Sequence, residues 1–76
     1  IAKGETLRIR YELDRDQTLK MIFLNATGRI IRTEERTVAV TEEFIEVNTQ
    51  DFGSGLNLIR IIDENGHAVT LKVIVS

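Results

Sequence analysis

The chain has 76 residues, ten Lys or Arg against twelve Asp or Glu, a net charge of −2, 42% apolar residues and no cysteine. That length holds one domain, and the apolar share fits a folded domain rather than a disordered tail. Interleaved charge argues against the basic face that nucleic-acid binding needs, the missing cysteines remove disulfides and Cys-based zinc sites, and no apolar run approaches the length of a membrane-spanning helix.

Alternation of apolar and polar residues dominates from the start. Leu7, Ile9, Tyr11 and Leu13, separated by Arg8, Arg10 and Glu12, predict a half-buried strand. Asp14-Arg15-Asp16-Gln17 is a polar turn, and Leu19 to Leu24 a second strand with Met21 and Phe23 on one face and Ile22 and Leu24 on the other. Asn25-Ala26-Thr27-Gly28 turns the chain, with Gly28 free to take a positive φ. Arg29 to Arg32 restarts a strand through Ile30 and Ile31. Thr33 to Arg36 is loop or exposed strand, and Thr37 to Thr41 is a short β-rich piece. Phe44 to Asn48 forms another, with Ile45 and Val47 sharing a face.

A loop rich in turn formers follows, from Asn48 to Gly55. Leu56 to Ile62 is nearly continuous apolar, as in a central strand. Asn65-Gly66 signals a tight hairpin of type I′, and Val69, Leu71, Val73 and Val75 alternate with Thr70, Lys72 and Ile74 in a closing strand. No stretch shows a helical period. About seven short strands predict an all-β fold, a small antiparallel immunoglobulin-like β-sandwich, with a small barrel as the alternative. Without proline, edge strands must be protected by charge, for which Arg8, Arg10, Glu12, Glu34, Glu35 and Arg36 are candidates.

Residues that could carry chemistry are few. His67 is the lone histidine and follows the Asn-Gly turn, with no second His or Cys to complete a metal site or a base. Asp14-Arg15-Asp16 and Glu42-Glu43 are acidic pairs without the glycine bend and distal carboxylate of a calcium loop. Asp51-Phe52-Gly53 shares its letters with a kinase metal motif, but no phosphate loop or catalytic loop accompanies it. Gly53-Ser54-Gly55 precedes a strand rather than a helix N-terminus, which leaves nothing to hold a phosphate. Asn25-Ala26-Thr27 is a glycosylation sequon placed where a turn already favours Asn. With no Trp and one Tyr, aromatic platforms for sugars are scarce. We therefore expect no catalytic residues, no metal and no cofactor.

Three blocks in order and spacing resemble a known family. The first is Leu19-Lys20-Met21-Ile22-Phe23-Leu24-Asn25-Ala26-Thr27-Gly28-Arg29-Ile30-Ile31. The second runs from Phe44-Ile45-Glu46-Val47 through Phe52-Gly53-Ser54-Gly55-Leu56 to Ile59-Arg60-Ile61. The third is Glu64-Asn65-Gly66 with Val69-Thr70-Leu71-Lys72-Val73-Ile74-Val75. Together they resemble the C-terminal sorting domain of cargo of the bacterial type IX secretion system. Leu7-Arg8-Ile9 would be that family's opening strand. The chain departs from the family pattern at Asn57, where members place Tyr, in lacking an opening Asn-Pro pair, and at Ser76, where Lys or Arg is frequent.

The resemblance implies a single sorting domain over residues 1–76, a piece of a larger secreted protein, in keeping with a first residue that is not Met. It implies partners in the type IX translocon, an outer-membrane shuttle barrel protein and a sortase. It also implies passage through the periplasm to the surface of a Gram-negative outer membrane. The signal-bearing candidates are Gly55, Gly66, Lys72, Val73, Ile74 and Val75. Competing expectations are a structural or adhesive immunoglobulin-like module and a carbohydrate-binding module. An exposed edge strand also makes a homodimer conceivable.

Overall fold

The computed structural model describes residues 1–42 and 44–76; the Glu43 member of the Glu42-Glu43 pair lies outside the described residues. Among them are six strands and no helix: β1 (Leu7–Ile9), β2 (Gln17–Asn25), β3 (Ile30–Val38), β4 (Ile45–Val47), β5 (Gly55–Ile62) and β6 (Ala68–Val75). Four of them form an antiparallel sheet in the order β3-β2-β5-β6, and β1 pairs with β4 in a second, two-stranded sheet. The fold is all-β and sandwich-like. The molecule measures 34 × 21 × 15 Å, and its thin dimension suits two stacked layers, which lie about 10 Å apart.

Alternation decides which side chains enter the core. Leu19, Met21 and Phe23 of β2, Ile59 and Ile61 of β5, and Val73 and Val75 of β6 all point inward. They meet Ile9, Ile45 and Val47 of the small sheet, and Phe52 from the loop before β5. Phe23 and Phe52 are tilted against each other with ring centroids 5.8 Å apart. Each such side chain contributes roughly 1.5–3 kcal/mol by leaving water. Opposite parity gives the large sheet an outer face of Ile22, Leu24, Leu56, Leu58, Ile62 and Ile74 with Lys20, Arg60 and Lys72 among them.

Three sequence expectations need correction. Six strands stand where about seven were expected, because Arg29–Arg32 and Thr37–Thr41 are not separate pieces. The charged stretch between them alternates too, so one nine-residue strand runs through it. Its inward charges find partners: Arg36 donates to the Glu46 carbonyl and Arg32 to the Asn48 carbonyl, both at 2.6 Å. The opening strand is also shorter than the pattern suggests, ending at Ile9, although Tyr11 and Leu13 still pack against the core.

The third correction concerns the Asn65-Gly66 turn. A type I′ turn needs positive φ at both central residues, but among the described residues none other than glycine has positive φ. Instead the Gly66 N–H donates to the Asp63 carbonyl, the Asp63 N–H donates to His67, and Gly66 alone is left-handed at φ 84°. This is a type I turn followed by a glycine bulge. The β2–β3 turn repeats it, with Gly28 also at 84°. In both, the first residue caps the loop. Asn25 Oδ1 accepts from the Thr27 and Arg29 N–H groups, and Asp63 Oδ1 from those of Asn65 and His67. A short side-chain acceptor at the first turn position thus selects the loop as strongly as the glycine does.

Candidate functional site

The β5–β6 hairpin carries all six signal-bearing candidates, and the structure divides them. Gly55 pairs directly with Val75, Leu56 with Ile74, Asn57 with Val73 and Leu58 with Lys72. Gly55 and the four residues Lys72 to Val75 therefore lie together at one end of the sheet. Gly66 sits at the opposite end, about 20 Å from Lys72 at the usual strand rise. Val73 and Val75 are buried in the core, whereas Lys72 and Ile74 face solvent, with Ile74 60% exposed. Of the six, only Lys72 and Ile74 present side chains that a partner can touch.

The hairpin is clamped at both ends. At the turn end, the Gln17 side chain donates to Asp14 Oδ1 at 2.8 Å and accepts from the Glu64 N–H at 3.0 Å. Arg15 donates to Asn65 Oδ1 at 3.1 Å, and the Thr18 N–H donates to the Glu64 carboxylate. The Asp14–Gln17 turn, read from sequence as solvated charge, thus holds the tip of the hairpin. Asp16 is used as well, accepting from the Val40 N–H at 2.7 Å. At the other end, the Ile1 backbone nitrogen donates to the Ile74 carbonyl at 2.6 Å, and the Ser76 N–H donates to the Ile1 carbonyl at 2.9 Å. That pair of bonds is a parallel bridge beside Val75.

The loop entering β5 is fixed by Arg32, which the sequence did not single out, and by Asn57, which it marked only as a departure from the family pattern. The Arg32 guanidinium lies 4.2 Å over the Phe23 ring and 5.9 Å from that of Phe52, and binds Asp51 Oδ1 at 2.6 Å. It joins the core aromatic pair to the loop backbone, and its inward parity within β3 was the available signal. Buried Asn57 donates to the Gly53 carbonyl at 2.8 Å and so ties the glycine loop to β5. Its Oδ1 has no partner.

The remaining candidates are structurally engaged or isolated. His67 is largely exposed, with Nδ1 3.4 Å from the Asp63 carboxylate. The Asn25 amide oxygen of the sequon is occupied by its own turn, including the Thr27 hydroxyl at 2.7 Å. Phe44 is partly exposed, and Arg8 stacks over its ring at 4.2 Å. No group of three or more His, Cys, Asp or Glu is placed to hold a metal among the described residues. Tyr11 holds its phenol above the ordinary value of 10.0, chiefly through burial and then through the negative charge of Asp63.

The family model described as "Secretion system C-terminal sorting domain" matches residues 3–76. The chain belongs to that family. The domain is a C-terminal sorting signal for type IX secretion, and it marks a secreted or cell-surface protein that engages the type IX machinery. Such signal domains are generally non-catalytic. Neither a curated relative nor a solved structure matches the chain.

Proposed function

We propose that this domain acts as the retained or cleaved address of a larger parent protein, and that it has no catalytic activity of its own. Its signal is presented by the folded β5–β6 hairpin. The observation that carries this reading is the split within the closing strand. Val73 and Val75 anchor it in the core while Lys72 and Ile74 stand out from the same strand in a fixed register. A rigid strand of this kind offers a partner a preformed surface at little ordering cost.

The partners proposed are the translocon, an outer-membrane shuttle barrel and a sortase that removes or keeps the domain at the surface of a Gram-negative cell. The test is a reporter fused ahead of Ile1 in a type IX-competent bacterium. Reporter digested by protease added outside the cells supports the reading, and reporter that remains protected opposes it. A structural or sugar-binding module would leave the reporter inside, and a sugar-binding one would show a clear ligand on a glycan array.

A further inference from the structure

The two edges of the large sheet are built differently. β3 is charged at four of its nine positions, and Arg32 and Arg36 reach from it to carbonyls of the loop and strand opposite. That is how edges are ordinarily protected against further pairing. β6 has one charge in eight residues, no proline, and an unbroken register with β5. It is long, regular and unprotected.

Two observations show which of its backbone groups are free. The bond from the Asp63 N–H to His67 sets the odd-numbered residues of β6 as those paired with β5. The bonds between Ile1 and both Ile74 and Ser76 place the even-numbered groups on the outer edge. Ala68, Thr70 and Lys72 therefore direct N–H and C=O outward, and among the described residues no strand pairs with them. On the core side of the same stretch Val69 is 41% exposed and Leu71 is half-buried, so the inner layer is open where the edge is open.

We propose that the outer edge of β6, from Ala68 to Val73, is the reading surface of the sorting signal. An extended segment of a partner protein adds there as a fifth strand parallel to β6. Its backbone pairs with Ala68, Thr70 and Lys72, its apolar residues cover Val69 and Leu71, and an acidic residue faces Lys72. Ile1 already shows the orientation, because its bonds to Ile74 and Ser76 form a parallel bridge. A second copy is a poorer occupant. Two-fold pairing would be antiparallel, against the parallel orientation that Ile1 takes on this edge, and is confined to the stretch before Ile1. The proposal rests on the sorting function and locates it on the outward backbone groups of β6 together with the Lys72 side chain.

Two experiments test it. In the first, Thr-Val-Thr-Val-Thr-Val-Thr is placed directly ahead of Ile1, where a parallel strand would run down β6 with its valines on the core side. Exchange of the Thr70 and Lys72 amides should slow at least tenfold relative to a Gly-Ser extension of equal length, with no change at Thr33 and Glu35 on the other edge. Unchanged exchange overturns the edge as a strand acceptor. In the second, a reporter is joined through a Gly-Ser linker. Thr70→Pro and Lys72→Pro each remove one outward N–H and no bond to β5, a change that edge strands tolerate. Thr70→Pro should lower surface delivery at least tenfold while Thr70→Ala stays within twofold of the parent. Equal delivery of Thr70→Pro and Thr70→Ala overturns the proposal.

If Thr70→Pro fails to melt cooperatively, Lys72→Pro is read against Lys72→Ala: delivery falling further for Lys72→Pro supports the proposal, and equal delivery of the two overturns it. Retention of the unmodified fusion sinks the sorting reading and the export role of the edge together, while the exchange experiment still decides whether β6 accepts a strand. A dimer that Thr70→Pro abolishes gives the edge to a second copy and overturns a partner segment as its occupant.

Discussion

Gly66→Ala isolates the cost of one backbone conformation. Gly66 sits at φ 84°, and a Cβ built there meets nothing within 4 Å. Sterics with the surroundings therefore contribute nothing, and the penalty is that of a left-handed L-residue, about 1–2 kcal/mol. For a chain of 76 residues the entropy of unfolding is about 0.16 kcal/mol/K at the melting point, so the midpoint should fall by roughly 6–12 °C. Gly66→Asn should recover much of that loss, since Asn tolerates positive φ best among the side-chain-bearing residues. Gly53→Ala is the internal control: its φ lies outside the left-handed region and its Cβ position is also open. It should be neutral or stabilise by about 0.4–1 kcal/mol. Thermal unfolding followed by circular dichroism reads all three. A Gly66→Ala midpoint equal to that of the parent, or a Gly53→Ala loss of the same size, would refute the turn assignment.

Three further outcomes follow from the packing. Gln17→Ala removes both the bond to Asp14 and the acceptor of the Glu64 N–H. It should cost about 1–2 kcal/mol in urea unfolding and raise amide exchange at Glu64, whereas an unchanged midpoint would show the clamp to be incidental. Phe52→Ala empties the place beside Phe23 and under Arg32 and should cost about 3–5 kcal/mol. Total stability for this length is about 4–11 kcal/mol, so a broad or absent thermal transition is expected, and a loss below 1 kcal/mol would contradict the core assignment.

The third outcome is a pH dependence. The raised Tyr11 pKa means the folded state keeps a proton that the unfolded chain gives up near 10.0. Its contribution to stability is complete below that value and is lost as pH climbs through the folded pKa. Tyr11→Phe should therefore flatten the alkaline fall in urea midpoint above pH 10. Parallel curves for the two proteins would remove Tyr11 as the cause.

Most of the fold could be read from the residues because burial follows a period of two. Met21 and Phe23 against Ile22 and Leu24, and Val73 and Val75 against Lys72 and Ile74, fall on the expected faces. What escaped was decided across space rather than along the chain. Thr33 to Arg36 reads equally as loop or exposed strand until the carbonyls of Glu46 and Asn48 are seen to take the guanidinium groups of Arg36 and of neighbouring Arg32. Asn65-Gly66 favours one turn type by local preference, but Asp63 Oδ1 binds two amides and selects another. Gln17 looked like one polar turn residue among several, and its partner Glu64 is distant in sequence. The signal-bearing candidates could be located on one hairpin, yet which of them are accessible depends on the register of β6 against β5. The bond of Ile1 to Ile74 has no local signature at all.

The central claim is that export machinery reads the open side of the closing strand, apart from any need for a folded core. Surface delivery of a reporter fused to Lys72→Ala, compared with Lys20→Ala, tests it most directly. Both lysines are exposed on the outer face of the same sheet, but Lys20 lies on interior strand β2 and Lys72 on edge strand β6. Neither change should alter stability by more than about 0.5 kcal/mol. We expect protease-accessible reporter to fall for Lys72→Ala and to match the parent for Lys20→Ala; equal delivery from the two variants would contradict the claim.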